Sequence, residues 1–243
     1  MAIAAALTRK LLYDEFDLSG EHNNLTLKLS QDAKEKTVYG DGSIARALGI
    51  KGFNINHSGY FKAGTGMIDT VLQGNLGTAG KILTMLPTGT DGEQAYCSKG
   101  VTLNYEMAGK IGDMFAVKGE TKSEGTLLVR GNLMATGAKT TTGHGTAREL
   151  GAVSATQYLY GILHGTAITG ESVSCVVKIQ SDTAENFPSP VDRITFTTLS
   201  DSGGVSKQWA TPVAGAITDT WWRVNWAITG SGSFTIWAII GIQ

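Results

Sequence analysis

At 243 residues, with 42% hydrophobic and 17% charged side chains, the chain is long enough for one large β domain or two ordinary ones and too apolar for a disordered one. Its 20 basic and 21 acidic residues leave a net charge of −1, which excludes a global basic field for holding nucleic acid. Glycine is the outlier, at 32 against 4 prolines, and with abundant Thr and Ser it points to many strands joined by tight turns.

The segment Met1–Leu7 is apolar but short, and its charges, Arg9 and Lys10, follow it. A signal peptide would place the charge first and run longer, so none is expected here. No stretch approaches the roughly 18 apolar residues of a membrane-spanning helix, and no membrane partner is expected. Cys97 and Cys175 each sit in an apolar alternating run, which fits small buried hydrophobes in a reducing compartment better than a disulfide.

Along the chain, Leu25, Leu27 and Leu29 alternate with Thr26, Lys28 and Ser30, the period of a strand with one buried face. A polar, charged excursion from Ser30 to Lys36 follows. Gly40-Asp41-Gly42 reads as a turn. Phe53, Ile55 and His57 then alternate with Asn54, Asn56 and Ser58 in a second strand. Met67 to Leu76 is the one helical segment, with Ile68, Val71 and Leu72 on a shared face and glycines to stop it. Further strands are expected at 81–85, 94–98, 101–107, 113–118 and 126–130, with turns at Pro87-Thr-Gly and Thr90-Asp-Gly.

Periodicity is lost between Gly131 and Gly151, where Gly, Thr and Ala dominate; a linker is expected over 136–151. Beyond Ala152 the strands become longer. Tyr158–Leu163, Val173–Ile179, Trp221–Ile228 and Phe234–Ile242 carry the signal, with turns at Gly170, Ser189-Pro190, Ser202-Gly-Gly and Gly230-Ser-Gly. Trp222–Ile228 and Phe234–Ile242, joined by Gly-Ser-Gly, read as a hairpin. The expected fold is therefore mainly β. A β domain with one short helix occupies 1–135, and an antiparallel β-sandwich, jelly-roll or immunoglobulin-like, occupies 152–243. A chain cut after Gly151 is expected to keep an N-terminal domain able to assemble.

No catalytic pattern emerges. Leu199–Gly204 (LSDSGG) matches only loosely the nucleophile segment of trypsin-like proteases: Ser200 stands where a glycine is wanted, and no suitable histidine segment precedes it. The four histidines never fall at i, i+2 or i, i+4, and the cysteines lie far apart, so local spacing assembles no zinc set. Asp41, Asp91 and Asp201 beside glycines read as turn residues. Gly64-Thr-Gly66 lacks the third glycine of a dinucleotide loop. The expectation is a non-enzyme without metal or cofactor.

The order FDLSG, an alternating strand, a charged excursion, TVYGDG and IKGFNINHSGYF resembles virion proteins of tailed bacteriophages, in particular the tail-tube family. The helix at Met67–Leu76, LPTGTDGEQAY and the VRGN at Val129–Asn132 extend the resemblance over the first 140 residues or so. The second half looks like the β-sandwich modules that such proteins carry. The resemblance implies a tail-tube-like β-barrel or sandwich domain in a structural subunit. That subunit self-associates into stacked rings with shared strands, contacts other virion proteins, and lets DNA pass transiently through a lumen. It also implies a virion location after assembly in the host cytoplasm. Lys34, Glu35 and Lys36 are the expected first inter-subunit contacts. Two other readings accompany it: a capsid decoration or cement protein, and a carbohydrate-binding module whose exposed aromatic surface would be Trp221, Trp222 and Trp237.

Overall fold

The computed structural model describes residues 9–39 and 42–243. The N-terminal apolar segment and most of the Gly40-Asp41-Gly42 turn fall outside these. With 58% of residues in strands and 3% helical, the chain is mainly β, and its sheets are antiparallel.

In chain order the elements are β1 (Lys10–Tyr13), β2 (Phe16–Asp17), β3 (His22–Glu35), β4 (Arg46–Tyr60), α1 (Ile68–Gly74), β5 (Lys81–Leu86), β6 (Gln94–Ala108), β7 (Ala116–Ser123) and β8 (Val129–Lys139). They continue with β9 (Gly143–His144), β10 (Arg148–Glu149), β11 (Tyr158–Thr169), β12 (Ser174–Asp182), β13 (Val191–Thr195), β14 (Leu199–Ser200), β15 (Ser206–Trp209), β16 (Val213–Ala214), β17 (Trp221–Thr229) and β18 (Ser233–Ile242). The strands expected at 94–98 and 101–107 are one continuous strand, β6. That expected at 126–130 begins only at Val129 and runs on to Lys139.

The chain divides into two compact units that interleave rather than follow one another. Unit 1 takes the described residues up to Ser19, then Ile82–Cys97 and Val129–Gln243; unit 2 takes Gly20–Lys81 and Ser98–Leu128. This corrects the sequential division at 135 and 152. The expected linker is strand instead. Thr136–Lys139 pair with β18, while β9 and β10 pair with β17. Gly and Thr there conceal backbone ladders behind small side chains.

Unit 1 is a β-sandwich. One sheet runs β15-β11-β18-β8-β6-β5-β1-β2, with β16 also on β11; the other runs β10-β17-β12-β13, with β9 on β17 and β14 on β12. β17 and β18 never pair with each other, contrary to the hairpin reading: β17 lies between β12 and the short β9 and β10, and β18 between β11 and β8. The Gly230–Gly232 connection therefore crosses between sheets. The inner faces meet in a core of Phe234, Ile236 and Ile240 against Val177, Trp222 and Val224. A Cβ on Gly161 would sit 2.7 Å from Ile179 Cδ1 of the facing sheet, so any larger residue there must displace that side chain.

The larger sheet also curls on itself. His164 on β11 comes within 2.8 Å of Thr84 on β5, and Lys207 on β15 within 3.2 Å of Asp14 in the β1–β2 turn. The sheet does not close into a barrel, so of the two expected forms the sandwich is the one present. The inside of the curl holds a second apolar cluster of Leu12, Ile82, Leu133, Ile162, Trp237 and Ile239. β18 thus faces apolar clusters on both sides, which is why it reads as a nearly unbroken apolar run rather than an alternating one.

Unit 2 is a four-stranded antiparallel sheet, β3-β4-β7-β6, with α1 packed on one face. Ile68, Val71 and Leu72 of α1 are buried, as expected from their shared face, along with Leu25, Phe53, Ile55 and Val117 of the sheet. Buried among them are His57, Thr102 and Thr121.

Candidate assembly surface

The partners available to each strand define what unit 2 presents to solvent. Among the described residues β3 pairs only with β4, so a 14-residue strand is an edge. β7 covers β4 from Asn54 to Tyr60 only. Residues Ser30–Glu35 and Arg46–Gly52 therefore form a two-stranded arm beyond the sheet, with a register shift between Gln31 and Ala33. On the opposite edge, β6 beyond Thr102 pairs with β7, and Thr102 itself is bridged by Leu76. Both edges expose backbone N–H and C=O groups, the ordinary template for another strand.

The same unit carries the exposed apolar side chains. Of the 18 large hydrophobics exposed among the described residues, all but Tyr158, Val191 and Val205 belong to it, although it is less than half of the chain. Most of them gather at two ends. On the arm, Ile50 is 85% exposed and Tyr39, just past β3, is fully exposed. At the far end, where Tyr60 lies opposite Ala116, Phe61, Met107, Ile111 and Phe115 are exposed. The 15 residues of β4 that separate the two ends span about 50 Å at the strand rise.

The face of the sheet away from α1 is polar. Its cross-strand rows include Thr26, Asn56, Glu120 and Asn104, and Asn24, Ser58, Lys118 and Glu106. An open cleft of about 500 Å³ lies over Asn56, Asn104 and Glu120. Two of its lysines are paired: Lys118 is 3.6 Å from Glu106 and Lys122 is 3.4 Å from Glu120. Asn54 Nδ2 donates to Glu120 Oε1 at 2.6 Å. Lys28, opposite Asn54, lies on the same face, which is polar and close to neutral.

Lys34 and Glu35 end β3 on the arm, opposite Ala47 and Arg46; Lys36 follows and donates its backbone N–H to Ala45 O at 2.9 Å. All three are exposed. The expected aromatic surface is not assembled. Trp222 has no exposed area and donates its indole N–H to Gly151 O at 2.8 Å; Trp237 is 8% exposed inside the curl; Trp221 is half-buried. Alternation on a strand sends neighbours to opposite faces, and in a sandwich capped by a curled sheet most faces are interior.

Two buried histidines went unforeseen as partners. His57 Nδ1 lies 3.3 Å from His22 Nε2, and its Nε2 lies 2.9 Å from Thr121 Oγ1. Burial first, and the neighbouring His22 second, lower His57 to about 3. In unit 1, His164 donates from Nδ1 to Asp14 O, and its Nε2 faces the Thr84 hydroxyl, which is also 3.3 Å from Cys97 Sγ. Burial lowers His164 to about 4 and pushes Cys97 up to about 12, so the ring is neutral and the thiol inert near neutrality. Only the topology brings these residues together; their sequence separations carry no signal.

The nucleophile-like LSDSGG segment is β14 and a turn. Asp201 there accepts the backbone N–H groups of Ser172 and Val173, which hold its carboxyl below the usual range. Among the described residues no group of three or more His, Cys, Asp or Glu is placed to hold a metal ion. Among those residues, too, no helix is long and apolar enough to cross a membrane.

No protein-family model matches the chain, and no curated protein matches it. Solved structures with some similarity to the chain include two of phage or phage-like origin. One is a chain of the virion of a native gene transfer agent particle, at 14% identity and a TM-score of 0.36, covering 44% of this chain and 82% of that one. The other is the SPP1 Dit (gp 19.1) protein, described as a paradigm of the hub adsorption apparatus in phages infecting Gram-positive hosts. It matches at 9% identity and a TM-score of 0.37, over 97% of this chain and 99% of that one.

Proposed function

We propose that this chain is a structural subunit of a tailed-phage virion, a tail-tube protein that assembles into rings through the edges of the β3-β4-β7-β6 sheet. The observation that carries the reading is the concentration of exposed apolar side chains and open strand edge in unit 2. A sheet with β3 free on one side and β6 on the other joins head to tail: the β3 edge of one copy continues onto the β6 edge of the next. Such heterologous contacts close into rings when the rotation permits. Burying those edges removes the aggregation hazard that a 14-residue edge strand otherwise carries. The arm, with Lys34, Glu35 and Lys36, makes the first contact, and the two apolar ends of the sheet meet between stacked rings. The near-neutral, polar face suits a surface past which DNA moves without being held, since Lys118 and Lys122 are already paired with glutamates.

Electron microscopy and sedimentation of the purified chain test this. Hollow rings or short tubes are expected, dispersed by Leu48→Asp with Ile50→Asp. Isolated trimers that bind only to capsids would replace the tube with the capsid-decoration reading. The carbohydrate-binding reading loses two of its three aromatics to the interior and is not pursued.

A further inference from the structure

His22 and His57 are 35 residues apart in sequence, yet β3 and β4 bring their rings to a centroid distance of 5.4 Å with a tilt of 51°. The nitrogens that face each other, His22 Nε2 and His57 Nδ1, are 3.3 Å apart. Two imidazoles bound to one tetrahedral Zn²⁺ at about 2.0–2.1 Å place their nitrogens about 3.3–3.4 Å apart, so the pair already has the spacing of one edge of such a polyhedron. The remote nitrogen of His57 is also arranged as in a metal ligand. Its Nε2 is 2.9 Å from Thr121 Oγ1, which is 3.0 Å from Thr102 Oγ1, and this hydroxyl relay fixes the ring; with Nε2 donating to Thr121, Nδ1 is the lone-pair nitrogen that a metal takes. Both residues stand on the most extensively paired strands of unit 2, so the donors are preorganised. His57 is buried and His22 only partly so, which leaves the approach on the His22 side.

We propose that His22 Nε2 and His57 Nδ1 form a two-imidazole site for a borderline divalent cation such as Zn²⁺ or Ni²⁺. The metal takes the place of the proton between the two nitrogens. The proton of His22 moves from Nε2 to Nδ1, both rings bind as neutral imidazoles, and no proton is lost. Burial supports this by keeping His57 neutral. The described residues supply no cluster of three donors, so water completes the coordination and the affinity is modest, in the micromolar range rather than that of a structural zinc. Occupancy would pin the base of edge strand β3 to β4. The proposal stands independently of the assembly reading.

The test is calorimetric titration of the metal-free full chain with ZnCl₂ and with NiCl₂ near neutral pH, paired with thermal melting. One ion per chain and a raised melting temperature are expected. His22→Gln should weaken binding about tenfold or more and abolish the metal-induced rise in melting temperature, each variant being compared with its own metal-free melt. His144→Gln, on the exposed β9, should leave binding intact. Absence of one-to-one binding at a hundred micromolar metal, or binding unmoved by His22→Gln, or binding lost instead with His144→Gln, overturns the site. His57→Gln is the less useful variant because it opens the core.

Discussion

Units 1 and 2 spend their apolar residues in opposite ways. Among the described residues, unit 1 turns nearly all of its large hydrophobics inward, into two clusters that share β18, and leaves only Tyr158, Val191 and Val205 well exposed. Unit 2 buries a small set under α1 and leaves many exposed, most of them on its arm and at its far end. The two therefore differ in what a mutation can damage. Substitutions in unit 1 act through folding, whereas those on the arm of unit 2 should leave the monomer intact and, if the proposed assembly holds, act through association, because monomer stability does not depend on side chains already in water.

The sharpest way to break this comparison is to cut the chain after Gly151. That removes β11, β12, β17 and β18, the strands that supply most of the sandwich core. Unit 1 should then be unfolded, while unit 2, complete by Leu128, retains its sheet. Hydrogen exchange with peptide resolution distinguishes the outcomes. Protection across Leu133–Lys139 in the truncated chain would mean that the sandwich does not depend on its later strands.

Next in size is Trp222→Ala. It removes a fully buried indole and its hydrogen bond to Gly151, and should cost about 3–5 kcal/mol in denaturant unfolding without changing the arm. Ile50→Ser is the counterpart in unit 2. It should change monomer stability by no more than about 0.5 kcal/mol, yet lower the assembled fraction in sedimentation. A large stability loss from Ile50→Ser would show that the arm is packed in the monomer.

What the sequence concealed has the same two-sided character. The alternating leucines of β3, the Phe53–His57 alternation and the face of α1 were legible because one side of each element is buried and the other is not. Interleaving was not legible. The chain leaves and re-enters unit 1 with no change in composition, at Cys97 and Val129, which stand opposite each other in the β6–β8 ladder. Gly230-Ser-Gly looks the same whether it closes a hairpin or carries the chain between sheets, since local sequence specifies the bend and only packing specifies the partner. The tryptophans were placed on the right strands, but their exposure depended on the curl of a sheet whose closing contacts, His164 to Thr84 and Lys207 to Asp14, lie far apart in sequence.

Acid separates the units more gently. Both buried histidines have folded values below the ordinary 6.5, so each binds a proton more readily in the unfolded chain. Stability is full above about pH 6.5 and falls as the pH drops. His164 stops contributing to the loss near pH 4 and His57 nearer pH 3. His164→Gln should flatten the profile of unit 1 alone, as read by Trp fluorescence in mild denaturant. The smallest effect is expected from Lys118→Ala on the polar face, where an exposed pair with Glu106 at 3.6 Å is worth under about 1 kcal/mol and should vanish in salt.

The double-sided burial of β18 also sets an order of events during synthesis. Every strand of unit 2 has left the ribosome once Leu128 is through, and that unit can collapse while translation continues. Unit 1 cannot, because the strand that separates and fills both of its apolar clusters is the last of its strands to emerge. For more than a hundred codons the nascent chain therefore carries an open sandwich and a completed arm whose apolar side chains are exposed. Over that interval the unfilled apolar faces of unit 1 are the kind of surface on which folding chains aggregate.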